Sequence, residues 1–134
     1  MRAVRSAHTK PEMIVRRLAH SLGYRFRLHR RDLPGSPDLV FPSRKMVVFV
    51  HGCFWHSHSG CRRATIPAEN REFWIAKLRK NALRDTQQLA QLASEGWSTH
   101  VVWECETRDT RALEARLRSF LDPDLERRDQ NPGL

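Results

Sequence analysis

Residues 45–50 (KMVVFV) are apolar at every position after the lysine, on both faces that an extended chain presents. A strand of this kind has to be covered on both sides, so it belongs in the centre of a sheet. Residues 99–104 (THVVWE) predict another buried strand, and residues 38–41 predict a shorter one. The short and central strands are separated only by residues 42–44 (PSR), which suit a hairpin.

The N-terminal part of the chain predicts a helix followed by a further strand. Thr9 is a candidate N-cap, Pro11 is tolerated in the first turn, and Glu12 stands at the capping-box position. Apolar residues then recur at helical spacing until Gly23. Residues 24–29 alternate between apolar and basic, which predicts a strand with one basic face.

Two more helices are predicted in the second half of the chain. The longer covers residues 70–95 and carries Phe73 on its apolar stripe, which favours a core position for that ring. The shorter covers residues 111–121 and is capped by Asp109. The resulting order, α-β-β-β-α-β-α, predicts an α/β fold in which a mixed central sheet is flanked by helices.

The size and charge of the chain restrict its class. With 134 residues it can bury one core, so we expect a single domain at 1–124 and a polar tail at 125–134. No apolar run has the length of a membrane span, and no secretory signal is present, so we expect a cytoplasmic protein. Its 24 Lys and Arg against 15 Asp and Glu give a net charge of +9, which favours nucleic acid as a partner.

The segment HGCFWHSHSGC, residues 51–61, lacks the periodicity of a helix or strand. Cys53, His58 and Cys61 are close enough to converge, and Cys105 is expected where the last strand ends. Three thiolates and an imidazole suit a structural zinc site, which would also explain how such a loop stays ordered. The alternative is that the cysteines are small buried hydrophobic residues.

Two residues at predicted strand ends suggest a second metal. Asp38 begins one strand and His51 ends its neighbour, so both can reach the same edge of the sheet. A carboxylate there can hold Mg²⁺, and a neutral imidazole beside it can take a proton from water, the combination that phosphodiester hydrolysis needs. Alternatively, Asp38 is a turn residue and Glu12 is only a capping residue. Phe54 and Trp55 lie in a polar loop, where exposed rings could stack on bases.

Four stretches of the chain together carry a family resemblance. They are PGSPDLVF at 34–41, VVFVHGCFWHSHSGC at 47–61, EFWIAKLRKN at 72–81 with a following RD, and VVWEC at 101–105. Their combination resembles the very-short-patch repair (Vsr) DNA mismatch endonucleases, over about residues 1–121. The resemblance implies a variant of the restriction-endonuclease-like PD-(D/E)xK fold, in which histidines replace the acidic residue and lysine of the motif's second half.

The resemblance also implies an activity. Such enzymes nick one DNA strand 5′ of the thymine in T·G mismatches left by deaminated 5-methylcytosine, and so start very-short-patch repair. The implied substrate is double-stranded DNA with a T·G mismatch in the bacterial nucleoid, acted on by a monomer, with mismatch-repair proteins as possible partners. A restriction or homing-type nuclease of the same fold and a zinc-stabilised DNA-binding module without catalysis are the alternatives.

The site residues implied by the resemblance fall into three groups. The catalytic group surrounds Mg²⁺, which Asp38 and the backbone carbonyl of Val50 would bind. His56 is the better candidate for activating water, and Glu12 is expected near it. The full assignments are Asp38, His56, His51 and Glu12 for catalysis, Cys53, His58, Cys61 and Cys105 for zinc, and Phe54, Trp55 and Trp74 for intercalation beside the mismatch.

Overall fold

The computed structural model describes residues 8–124, so the tail predicted at 125–134 lies outside the described residues. The element order α-β-β-β-α-β-α is confirmed. The helices are α1 (Lys10–Ser21), α2 (Arg71–Ser94) and α3 (Thr110–Leu121), and the strands are β1 (Arg27–Leu28), β2 (Leu39–Phe41), β3 (Met46–His51) and β4 (Ser98–Trp103).

The four strands form one mixed sheet in the order β1-β2-β3-β4. The β1–β2 and β2–β3 pairs are antiparallel, whereas β3 and β4 run parallel. β3 therefore lies inside the sheet, as its apolar sequence predicts. The prediction that residues 99–104 form another buried strand is wrong in part, because β4 is an edge strand and only Val102 is fully buried.

Helices cover the two faces of the sheet and bury two apolar clusters. On one face, α1 and α3 pack on alternate strand residues such as Leu39 and Val48. On the other face, Leu92 of α2 packs on Val47 and Phe49. The alternation of neighbouring β3 residues between the two clusters explains why that strand is apolar throughout. Among residues 8–124, no helix is long and apolar enough to cross a membrane.

The N-terminus of α1 differs from the predicted capping box in one bond. Thr9 accepts a hydrogen bond from the Glu12 N–H (3.3 Å), as expected for an N-cap. The Glu12 carboxylate, however, accepts from the N–H of His8 (3.3 Å) and not from that of Thr9. The same carboxylate oxygen contacts His29 at 2.9 Å, so the side chain is turned toward the end of β1. Glu12 is therefore available to a site between these elements.

The connection from β1 to β2 brings Asp38 to the end of the sheet. Strand β1 is shorter at both ends than the predicted residues 24–29. Its C-terminal end is set by His29, which takes a left-handed backbone conformation (φ 47°) and leaves the extended path. In the turn that follows, Gly35 (φ 75°) approaches Gln88 so closely that a Cβ atom would lie 2.8 Å from the side-chain oxygen. The turn is thus packed against α2, which fixes the start of β2.

Phe73 does not occupy the core position that the sequence analysis favours. Its side chain is 59% exposed, and its ring contacts that of the neighbouring Trp74, with centroids 5.2 Å apart. The reason is the helical period: Lys77, one turn later on the same side of α2, is exposed, whereas Leu78 is buried. This side of the helix faces solvent.

Candidate active site and metal centres

Three cysteines and one histidine converge beside the end of β4. The sulfur atoms of Cys53, Cys61 and Cys105 and a ring nitrogen of His58 all lie within 4.8 Å of one another. Cys105 was expected at the end of the last strand. It lies instead in the 3₁₀ turn Glu104–Arg108 that follows the strand. The chain curls there because the Glu106 carboxylate accepts a hydrogen bond from the N–H of Trp103, the last residue of β4 (2.8 Å).

The contacts within this sulfur–nitrogen cluster are those of a preformed ligand set. The Cys105 sulfur lies 3.5 Å from His58 Nδ1, and the Cys105 N–H donates to the Cys53 sulfur at 3.4 Å. The His58 ring stacks on Trp103, with centroids 4.1 Å apart. All three cysteines are free, and burial raises the pKa of Cys53 to about 12, with neighbouring thiols adding to the rise. Crowded thiols of this kind fit a soft cation, which would hold them as thiolates.

A carboxylate cluster lies at the start of β2. Oxygens of Glu12 and Asp38 and a ring nitrogen of His29 lie within 4.8 Å of one another. The Val50 N–H donates to Asp38 Oδ2 at 2.7 Å, so the carboxylate lies against the backbone of β3 one residue before His51. Asp38 thus reaches the edge of the sheet where His51 ends β3, as the strand assignment predicts.

The electrostatics of this carboxylate cluster call for a cation. Burial raises the pKa of Asp38 to about 7, and the nearby Glu12 raises it further, although the Val50 hydrogen bond acts in the opposite direction. Glu12 is 1% exposed, and its Oε2 has no hydrogen-bond partner within the described range 8–124. Arg16 Nη1 lies 3.6 Å from that oxygen. A hard divalent ion fits these oxygens because it supplies the missing charge.

An imidazole cluster lies next to the carboxylates, on the α2 side. The rings of His51 and His56 stack with centroids 3.8 Å apart and an interplanar angle of 8°. His56 Nδ1 is 2.6 Å from an Asp85 carboxylate oxygen, and Asp85 belongs to α2. Burial, followed by the charge of His56, lowers the pKa of His51 to about 4. His51 is therefore neutral near pH 7.

The four predicted catalytic residues lie in two adjoining clusters, two residues in each. Asp38 and Glu12 face the α1 side of the end of β3, while His51 and His56 face the α2 side. Glu12 was expected near His56; its hydrogen bonds instead go to His8 and His29. The two clusters adjoin where Val50 meets His51.

Three of the four aromatic residues in this region were predicted as DNA-contacting rings. Phe54, Trp55 and Trp74 are half-buried and pack edge-on against one another, with centroids 5.1–5.9 Å apart. The α2 residue Asn81 donates to the Trp55 carbonyl at 3.3 Å, which ties this loop to the helix. The rings form one aromatic cluster beside the imidazoles, and exposed Phe73 extends it.

Two residues of these clusters were missed by sequence reasoning. His29 was assigned only to the basic face of a strand, and its left-handed backbone could not be read from the sequence. Asp85 lies one helical turn after Asn81, and both side chains contact the 51–61 loop. The sequence did offer one sign of this contact: two polar residues at i and i+4 lie on the same face of a helix, so that face can contact a polar segment.

Comparison with known proteins places the chain among DNA-cleaving enzymes. A family model described as DNA mismatch endonuclease Vsr matches residues 1–63. The type II nicking enzyme V.XorIIP of Xanthomonas oryzae is 58% identical over 123 residues, covering 92% of this chain and 90% of the relative. V.NmeAIP of Neisseria meningitidis is 40% identical (87% and 83% covered), and the DNA mismatch endonuclease Vsr of Escherichia coli is 39% identical (84% and 72% covered).

Proposed function

Since the chain belongs to the family of Vsr DNA mismatch endonucleases and related type II nicking enzymes, and so is a DNA endonuclease, we propose that it nicks one strand 5′ of the thymine in T·G mismatches with Mg²⁺ as cofactor. The observation that carries this proposal is the end of β3, where the carboxylates of Glu12 and Asp38 on one side adjoin the stacked imidazoles of His51 and His56 on the other. The alternative of a zinc-stabilised DNA-binding module without catalysis is disfavoured, because the members of this family are endonucleases.

Asp38, with the backbone carbonyl of Val50, would bind Mg²⁺, and Glu12 lies beside them. The hydrogen bond from the Val50 N–H to Asp38 supports this pairing because it holds the carboxylate against the Val50 peptide. When bound, the ion supplies positive charge that offsets the negative charge developing on the scissile phosphate. The buried Oε2 of Glu12, which has no hydrogen-bond partner in the described part of the chain, supports a cation at this position.

His56 is the residue that takes the proton from the attacking water. Its Nδ1 faces Asp85, which leaves Nε2 for the proton transfer and makes Asp85 an orienting group. His51 stays neutral because burial lowers its pKa to about 4. It can therefore accept a hydrogen bond beside the reacting phosphate without adding a positive charge next to the bound cation.

Zinc at Cys53, His58, Cys61 and Cys105 would fix the loop that carries His56. His56 lies between Cys53 and His58 in the sequence, so the metal holds it from both sides. We assign a structural role to this ion because four protein ligands fill a tetrahedral zinc site and leave no position for substrate. We further propose the PD-(D/E)xK variant fold and a monomeric single domain at 1–124 that works in the cytoplasm.

Recognition of the mismatch is assigned to Phe54, Trp55 and Trp74. A T·G wobble pair is easier to distort than a Watson–Crick pair, so inserting rings between base steps selects it through deformability. The net charge of +9 supplies the sequence-independent attraction to the DNA backbone. Repair proteins could then act on the nicked strand.

The test is a nicking assay on short duplexes that are identical except for a T·G, A·G or C·G pair, with either strand labelled. We expect Mg²⁺-dependent cleavage of the thymine strand of the T·G duplex, and its loss in Asp38→Ala with DNA binding retained. Asp32→Ala, at an exposed aspartate six residues earlier, is the matched control. Equal cleavage of the C·G duplex would instead favour a restriction-type nuclease, and an undiminished rate in Asp38→Ala would refute the active-site assignment.

A further inference from the structure

Glu12, His29 and Asp38 come from three different elements and meet in one cluster. Glu12 lies in α1, His29 follows β1, and Asp38 precedes β2. The His29 N–H donates to the Asp38 carbonyl at 3.2 Å, and its ring Nε2 lies 2.9 Å from Glu12 Oε1. Both backbone and ring of His29 are therefore fixed against the two carboxylates.

The Glu12 carboxylate indicates that a ligand belongs in this cluster. Its Oε1 accepts from the His8 N–H and contacts His29, whereas the buried Oε2 has no hydrogen-bond partner among residues 8–124. Arg16 approaches Oε2 only to 3.6 Å, beyond hydrogen-bond distance. A buried carboxylate oxygen without a partner is unfavourable, and a metal ion would satisfy it.

The position of the His29 ring fits a ligand of that ion. Adjacent ligands around a divalent ion with octahedral coordination lie roughly 3 Å apart when each is about 2.1 Å from the metal. His29 Nε2 and Glu12 Oε1 are hydrogen-bonded at 2.9 Å, which is also this spacing, so both atoms would bind an ion that displaces the shared proton. Separations of up to 4.8 Å among the three groups also leave room for a shared ion.

We infer that His29 is a nitrogen ligand of the divalent ion held by Glu12 and Asp38, so that this site binds Mn²⁺ in preference to Mg²⁺. The inference rests on the proposed function in that it uses the same metal position. Mg²⁺ takes oxygen ligands and gives up its water reluctantly, whereas first-row transition ions also accept imidazole. A nitrogen donor therefore strengthens binding of Mn²⁺ more than binding of Mg²⁺.

The experiment measures metal binding by the full, zinc-loaded chain without DNA. Mn²⁺ affinity is read from the electron paramagnetic resonance signal of free Mn²⁺, and Mg²⁺ affinity from competition. In His29→Gln, whose amide can still hydrogen-bond Glu12, we expect Mn²⁺ affinity to fall by at least about tenfold while Mg²⁺ affinity changes much less. His20→Gln, at an exposed histidine of α1, should change neither.

A spectroscopic measurement separates ligation from positioning. Electron spin-echo modulation of bound Mn²⁺ should show ¹⁴N coupling in the wild type and none in His29→Gln. Coupling that persists in the variant would place Mn²⁺ on other histidines, such as His51 and His56, and overturn the inference, as would an unchanged Mn²⁺ to Mg²⁺ affinity ratio. The proposed function fails separately, through Mg²⁺-supported nicking by Asp38→Ala.

Discussion

Replacing Asp38 with asparagine should stabilise the Mg²⁺-free protein, and the gain should be larger at pH 8 than at pH 5. Burial raises the pKa of this carboxyl from 3.8 to about 7 in the folded chain. Below about pH 3 the group is protonated in both states and costs nothing. As the pH rises toward 7, the unfolded chain ionises first, so the free energy of unfolding falls. Asparagine does not titrate and avoids this loss.

The size of the effect follows from the two pKa values. Integrating the difference in bound protons gives a loss of about 4 kcal/mol at pH 8, of which about 2–3 kcal/mol accumulates between pH 5 and pH 8. The asparagine oxygen can still accept the hydrogen bond from the Val50 N–H, so little of the gain should be cancelled. The gain arises because a carboxylate that is buried for metal binding lowers the stability of the folded chain.

Urea unfolding of wild type and Asp38→Asn at both pH values, without Mg²⁺ and with one equivalent of zinc, measures the difference. Comparing the two proteins at each pH cancels the pH dependence of zinc binding. Asp32→Asn is the matched control, because the hydrogen bond from Arg30 lowers the pKa of exposed Asp32 instead of raising it. A stability difference that is the same at pH 5 and pH 8 would refute the burial argument.

Three further predictions concern zinc, the core and the base. Cys105→Ser should lower bound zinc below one equivalent, measured by mass spectrometry, and expose the 51–61 loop to protease; full zinc content would contradict the ligand set. Leu117→Ala should cost about 2–5 kcal/mol in urea unfolding because Leu117 is fully buried, whereas Leu83→Ala, at a 59% exposed position, should change stability by less than about 0.5 kcal/mol. Asp85→Asn should slow nicking about 10²-fold without weakening DNA binding, and an unchanged rate would remove Asp85 as the group orienting His56.

The fold was predictable where the spacing of apolar residues in the sequence indicated which residues are buried. β3 and α3 matched their predicted bounds within one residue, because an apolar strand and a capped amphipathic helix each leave a local pattern. The shortened β1 and the edge position of β4 were not predictable, since both depend on backbone turns and on which strands pair. Phe73 shows the same limit: apolar character does not tell a core ring from one on an exposed aromatic surface.

The candidate site was predictable only in its sequence-local part. The zinc ligands in residues 51–61 could be proposed because cysteine and histidine rarely cluster by chance, and the structure brings them together with Cys105. His29 and Asp85 lie in separate elements and have no such neighbours. They join the site only because β1 pairs with β2, which brings His29 to Asp38, and because α2 lies against the loop that follows β3. Both arrangements are information about tertiary structure.

The carboxylate and imidazole clusters are held in place by different interactions, so removing zinc should affect them differently. The carboxylate side depends on the packing of α1 and β2 in the apolar core, where Val15 and Leu39 are fully buried. The imidazole side depends on a loop whose order we attribute to zinc, apart from the bonds that α2 makes with Trp55 and His56. Removing zinc should therefore displace His56 and abolish nicking while leaving the divalent-ion site at Glu12 and Asp38 able to bind Mn²⁺. If zinc removal abolished Mn²⁺ binding as well, the two halves would share one folding unit, and this separation of roles would be wrong.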